Sequence, residues 1–278
     1  MRGAVDMNAE PISIAAGRET TICLDGVRID VVDEQQARQR ILSGLAEGAG
    51  GIVVTVNIDH MVRCRRDPAY RSLVDRAELV VADGMPLVWA SRLQGTALPE
   101  RVAGSSVTLS LAADLAEQGR SLFLLGGNPG VAEAAGRVLA ERLNGLRIAG
   151  IYCPPFGFEQ NQTEMQRIRK ALGASQPDVV YVALGSPKQE WLMDQLRKQL
   201  PDLSTAWWLG VGISLSFISG EVHRAPWWLQ RLGLEWVHRM VQEPRRLFRR
   251  YMIDGIPYVA RLMIHCLAAR YRSNRHYG

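Results

Sequence analysis

The residues best suited to chemistry fall in four short polar clusters, each directly after an apolar run. Thr55 and Asn57 close the run GIVVTVN, with Asp59 and His60 just beyond. Asp83 and Gly84 follow AELVVA, Gly126 and Gly127 open the turn GGNPG after SLFLL, and Gly185-Ser186-Pro187-Lys188-Gln189-Glu190 follows DVVYVAL. A carboxylate such as Asp83 can take the proton of a weak hydroxyl nucleophile as its attack develops. Asp83 before Gly84 suits an Asx turn equally well. A glycine-rich turn that opens a helix offers backbone N–H groups to an anion such as phosphate. This one is not GxGxxG, and a tight strand-to-helix turn uses glycine in any case. Ser186 can cap the next helix and Pro187 can fill its first position. Lys188, Gln189 and Glu190 suit a solvated first turn, but Gln189 and Glu190 are less well explained that way and are candidates to face a ligand. Asp59 suits a helix cap, and His60 has no second histidine nearby, so no metal site is expected.

These clusters need a scaffold that brings them together. The runs 51–57, 77–83, 121–127, 146–152, 178–185 and 205–212 are apolar, rich in β-branched residues and separated by amphipathic stretches. Such continuous runs belong to strands covered on both faces, which means a parallel sheet with crossover helices. Before them, ICLDGVRIDVV reads as a hairpin turning at Asp25-Gly26. The stretch from Asp33 reads as a helix with a capping box to Gln36. The expected fold is α/β, a doubly wound, mostly parallel (Rossmann-like) sheet with a C-terminal basic helical appendage. Ligands bind such sheets at the carboxyl ends of the strands, where all four clusters fall. The expected organisation is a leader at 1–20, an α/β body at 21–220 and the appendage at 221–278.

Composition narrows the function classes. With 278 residues, 47% hydrophobic and 22% charged, the chain can bury a sizeable core. Cys23, Cys64, Cys153 and Cys266 are scattered without a CxxC, which argues against a disulfide framework or zinc site and fits a reducing compartment. Residues 1–20 carry Asp6, Glu10 and Glu19 and no apolar run, so no secretory signal is expected there. No stretch of 18 uninterrupted apolar residues marks a membrane span. The net charge of +5 is unevenly placed: residues 221–278 hold eleven Arg and four acids, a local net of +7, leaving −2 for residues 1–220. A basic tail on a near-neutral body seeks an anionic partner. Nucleic acid is disfavoured, because no helix-turn-helix or RNA-stacking motif is present. Arg interleaved with Trp, Leu and Met at helical spacing fits a membrane interface better.

The segments VTVN, VVADGMPLV, LPERVAGSS, FLLGGNPGVAEAA, VALGSPKQEWL, GVGISLSFISGEVHRAPWW and LEWVHRMVQEPRRLFRRY resemble, in order and character, the WecG/TagA/CpsF glycosyltransferases (glycosyltransferase family 26), over residues 22–255. The resemblance implies an inverting glycosyltransferase with no metal or other cofactor. Its donor would be a UDP-sugar: UDP-N-acetylmannosamine, the corresponding uronic acid or, alternatively, UDP-glucose in exopolysaccharide assembly. Its acceptor would be a polyprenyl-diphosphate-linked sugar at the inner face of the cytoplasmic membrane. The family's general base matches Asp83, and its polar site residues match Thr55, Asn57, Arg101 and Gln189. Gly126, Gly127, Gly185, Lys188 and Glu190 complete the expected donor pocket. Arg239, Arg245, Arg246, Arg249 and Arg250 are the expected contacts to diphosphate and to an anionic membrane surface. Leu215-Ser216-Phe217 departs from the family's usual FDF and leaves the donor sugar open. Homo-oligomerisation, and a non-enzymatic membrane- or nucleic-acid-binding role for the basic tail, are the remaining alternatives.

Overall fold

In a computed structural model of the chain, residues 20–231 and 233–276 are described, with the side chains of 230, 231, 246 and 273–276 outside the described set. The expected leader at 1–20 therefore lies almost wholly outside the described residues. β1 (Thr21–Leu24) and β2 (Val27–Asp30) form the expected antiparallel hairpin. Its turn places Asp25 at φ 44° and Gly26 at φ 82°, the two left-handed residues that a tight hairpin turn requires. α1 (Glu34–Glu47) starts with the expected capping box: Gln36 N donates to Asp33 Oδ1 (2.7 Å) and Asp33 N to Gln36 Oε1 (2.9 Å).

The main sheet has six strands: β3 (Gly51–Val56), β4 (Leu79–Ala82), β5 (Ser121–Gly126), β6 (Arg147–Tyr152), β7 (Val179–Ala183) and β8 (Trp207–Gly210). Their order is β4-β3-β8-β7-β5-β6, and every adjacent pair is parallel. Alternate residues feed opposite cores. Val54, Val80, Phe123, Val180 and Trp208 point to one face, and Val53, Val81, Leu124, Tyr181 and Leu209 to the other. Both sets are buried, so these strands read as unbroken apolar runs rather than as alternating ones.

The first face is covered by α2 (Ile58–Arg66), α3 (Pro68–Asp75), α4 (Met85–Gln94), and the later helices α7 and α8; the second is covered by α1, α5 (Gly104–Glu117), α6 (Val131–Arg142) and, further along, α9. α7 spans Gln162–Ser175, α8 Lys188–Gln199 and α9 Ser214–Ser219. The basic tail then forms α10 (Trp227–Arg231), α11 (Glu235–Gln242), α12 (Pro244–Phe248), a π-helical segment Arg249–Gly255, and α13 (Ile256–His276). α13 packs along α4 and brings Tyr258, Leu262 and Cys266 into the first core. The helical run Arg249–Arg272 has 24 residues and is long and apolar enough to cross a bilayer by length and composition. Its contact with α4, and a Tyr258 hydroxyl bond to Asp25 Oδ2 (2.8 Å), hold it against the sheet body.

Two local expectations are corrected. Asn57, not Asp59, caps α2: its Oδ1 accepts from Asp59 N (3.0 Å) and His60 N (3.4 Å). Ser186 does not cap α8. Pro187 takes the cap position, ahead of the first turn, and the Ser186 hydroxyl pairs with Tyr70 Oη at 3.0 Å.

Candidate active site

β3 and β8 are neighbours in the sheet, but the chain leaves β3 into α2 on the first face and leaves β8 into α9 on the second, so the outgoing connections reverse face between these two strands. A crevice opens outside the strand ends at such a reversal. Here it is a cleft of about 1360 Å³ that collects all four clusters: Thr55 and Asn57 from β3, Asp83 from β4, Gly127 from β5, and Gly185, Lys188 and Gln189 from the β7–α8 turn. Arg101 enters from the loop before α5, and Arg239 and Arg250 from the tail.

Asp83 is half-buried at the rim of β4. Its N–H extends the parallel ladder to Val56 O (2.7 Å), which fixes the direction of its side chain. Gly104 N, at the start of α5, donates to Asp83 Oδ2 at 3.2 Å. A Cβ on Gly104 would stand 3.1 Å from Thr55 Oγ1 and 3.5 Å from that carboxylate oxygen, so the bare glycine lets the helix start close on the acid. Burial pushes the Asp83 carboxyl above its ordinary value, and Arg101 and the Gly104 N–H only partly offset this. Among the described residues no cation lies within 4 Å of Asp83, whereas two other acids in the cleft are ion-paired. Asp59 meets Arg250 (3.3 Å) and Arg63 (3.5 Å), and Glu235 meets Arg101 (3.2 Å) and Arg224 (3.6 Å). A carboxylate kept basic and unpaired at the end of a strand is suited to proton removal.

The start of α8 divides its polar residues between two tasks. Gln189 lies across the exit of β8: its Oε1 accepts from Gly212 N (3.1 Å), and its Nε2 donates to Glu190 Oε1 (2.8 Å). A Cβ on Gly210 would stand 2.6 Å from that Nε2, so only glycine leaves room for the amide. Glu190 is 1% exposed and stays behind the cleft wall. His60 Nε2 approaches it to 3.4 Å, and His60 Nδ1 lies 2.9 Å from Asn57 Oδ1. Burial alone would raise the Glu190 carboxyl, but His60 and Gln189 outweigh it and hold the group below its usual value. Glu190 thus ties the end of β3 to the end of β8. Lys188 faces outward at the cleft mouth, paired with Glu159 (2.5 Å) and 5.0 Å from the Phe156 ring centre.

At the glycine-rich turn, Gly126 is a backbone hinge rather than a cleft residue. It has φ +99°, and a Cβ would stand 2.8 Å from Ala183 O. Gly127 lines the cleft, but its N–H already donates to Ala183 O (2.7 Å). α6 has no side-chain cap, so the open N–H groups at this point belong to the helix start.

The tail folds back over the opening. Glu235 holds Arg101 and Arg224, and Arg224 Nη2 donates to Ser106 Oγ (3.0 Å). Trp236 and Tyr251 meet edge to face, ring centres 5.7 Å apart, and both line the cleft. Arg239 lines it too, with no acid within 4 Å among the described residues. The glycosyl transferase WecG/TagA/CpsF family model matches residues 22–272. The chain belongs to the WecG/TagA/CpsF glycosyltransferase family.

It is therefore a glycosyltransferase of cell-surface polysaccharide synthesis, with a sugar donor and an acceptor to accommodate. Of the five tail arginines expected to meet anions, Arg239 and Arg250 reach the transferase cleft, and Arg245 and Arg249 are exposed on the outside. The side chain of Arg246 lies outside the described residues. Sequence reasoning missed Glu235, Trp236 and Tyr251 as parts of the cleft. Their signal was the placement of an acid and two aromatics within an otherwise basic stretch. Ser216, at the departure from FDF, is buried on α9 and also lines the cleft.

Proposed function

We propose that this glycosyltransferase moves a hexose-type sugar, N-acetylmannosamine or its uronic acid, from UDP to a polyprenyl-diphosphate-linked acceptor, with inversion and without a metal requirement. The observation that carries the reading is the pairing of an unpaired, basic Asp83 with arginines in one cleft. Asp83 removes the acceptor hydroxyl proton while that oxygen attacks the anomeric carbon from the face opposite the departing UDP. Thr55 and Asn57 contact the sugar beside it. The leaving diphosphate gains negative charge as the bond breaks. Arg239, which has no acid to satisfy, and Arg101 supply charge-assisted hydrogen bonds to it. Gln189 keeps one amide hydrogen for the donor after bonding Glu190.

Residues 221–278 dock the enzyme on the inner face of the membrane. Exposed Arg245 and Arg249 lie beside exposed Phe248, Ile253 and Ile256, a basic and apolar surface suited to the headgroup layer. Each such arginine near an anionic leaflet contributes about 1 kcal/mol. A panel of UDP-sugars incubated with a lipid-diphosphate-sugar acceptor tests the chemistry. Transfer from one UDP-hexosamine, with inverted anomeric configuration, is expected. Transfer from no UDP-sugar, or with retained configuration, overturns the reading.

A further inference from the structure

The β5 side of the cleft holds a carboxylate that the transfer chemistry leaves without a role. α9 ends at Gly220, whose φ of +80° turns the chain back, and Val222 N returns a bond to Ser216 O (3.1 Å). This reversal sets Glu221 on the cleft rim against the turn that follows β5. Asn128 Nδ2 donates to Glu221 Oε1 at 3.0 Å, and Ser216 stands near the same carboxylate. These two polar neighbours hold the carboxyl below its usual value, so it is ionised at neutral pH. Among the described residues no cation lies within 4 Å of it, and the side chain is open to solvent. An ionised carboxylate only accepts hydrogen bonds, and it has about four lone-pair sites. With one of them occupied by Asn128, it still offers two adjacent acceptors to a ligand.

The position of Glu221 says which part of a ligand would meet it. Asp83 follows β4 and Asn128 follows β5, four steps apart in the sheet order, which is about 19 Å at roughly 4.8 Å per step. A nucleotide-sugar laid along the rim, with its sugar at Asp83 and its diphosphate at mid-cleft, has its nucleoside at Glu221. Two adjacent donors at that place are the vicinal hydroxyls of a ribose, which acidic side chains recognise in other nucleotide folds. We propose that Glu221, positioned by Asn128 and by the backbone turn back to Ser216, binds the ribose 2′- and 3′-hydroxyls of the donor nucleotide and makes the site selective for ribonucleotides over deoxyribonucleotides. This rests on the reading of the cleft as a UDP-sugar site.

Calorimetric titration of the full chain with UDP, 2′-deoxy-UDP and 3′-deoxy-UDP tests it. The wild type should bind UDP at least about tenfold more tightly than either deoxy analogue, the penalty expected when a charged acceptor loses its hydroxyl. Glu221→Ala should bind UDP as weakly as the deoxy analogues, with little change for those two. Equal wild-type affinity for UDP and both analogues, a comparison that involves no variant, would overturn the proposal and leave the donor reading intact. Equal weakening of all three ligands by Glu221→Ala would overturn it as well. Failure of the wild type to bind UDP would instead remove the donor reading, and the proposal with it.

Discussion

Asp83→Asn separates the catalytic and structural roles of this residue. The amide has nearly the volume of the carboxylate, and its oxygen can still accept from Gly104 N, now at 3.2 Å, so the rim of β4 should keep its shape. What disappears is the basic lone pair. Loss of a general base lowers turnover by about 10²–10⁴-fold, or roughly 3–5.5 kcal/mol of barrier, while UDP binding should change little. Stability should move the other way. Burial raises the Asp83 carboxyl in the folded chain, so the folded state holds this proton more tightly than the unfolded state does. The associated stabilisation is complete below the unfolded pKa and is lost as pH rises through the folded one. Asparagine never ionises and escapes that loss. The variant should therefore melt at or above the wild-type temperature at neutral pH, and the difference should shrink in acid. Turnover with the cognate donor, UDP titration and thermal melts from pH 4 to 8 measure all three quantities. Turnover within threefold of wild type refutes Asp83 as the base, and a variant that melts lower only at neutral pH refutes the burial argument.

Glu235→Gln removes the anion that pairs with Arg101 and itself raises the Asp83 carboxyl; the acidic limb of kcat/KM should shift to lower pH, and an unmoved limb would uncouple the tail from the base. Glu190→Gln should destabilise the fold by about 1–3 kcal/mol, as expected when a buried charged hydrogen-bond partner is lost. Because the folded Glu190 carboxyl is held low, its stabilisation is present above the unfolded pKa and is lost as pH falls through the folded one, so denaturant melts of the two proteins should converge in acid. The double variant Arg245→Glu, Arg249→Glu should lose sedimentation with anionic liposomes while keeping turnover on a water-soluble acceptor analogue, and unchanged sedimentation would move the docking surface elsewhere.

Much of the fold could be read from the sequence because its strands are buried on both faces. Val53 and Val54 enter different cores, and each must be apolar; the run that results ends where the sheet ends, so the polar residues after it marked the rim. The same reasoning placed Thr55, Asn57, Asp83 and Gln189 in one cleft. It could not sort Gln189 from Glu190. Both stand at a helix start, where an acid is favoured in any case. The buried Glu190 meets His60, 130 residues earlier in the chain, and that pairing leaves no local pattern.

The tail failed to declare itself for a different reason. Periodicity assigns faces over several turns of a regular helix, but α12 has five residues, Pro244 opens it, and the π-helical segment after it shifts the angular repeat. The five arginines therefore could not be sorted by face, although Arg239 and Arg250 turn into the cleft and Arg245 and Arg249 turn out. The tail also could not be recognised as part of the core from its charge. Tyr258, Leu262 and Cys266 fill the first core alongside α4, so cutting the chain at 220 would strip apolar cover from the α4 face as well as remove the cations. The surface charges of the tail are best probed by point substitution, which leaves α13 in place and lets membrane attachment be measured separately from folding.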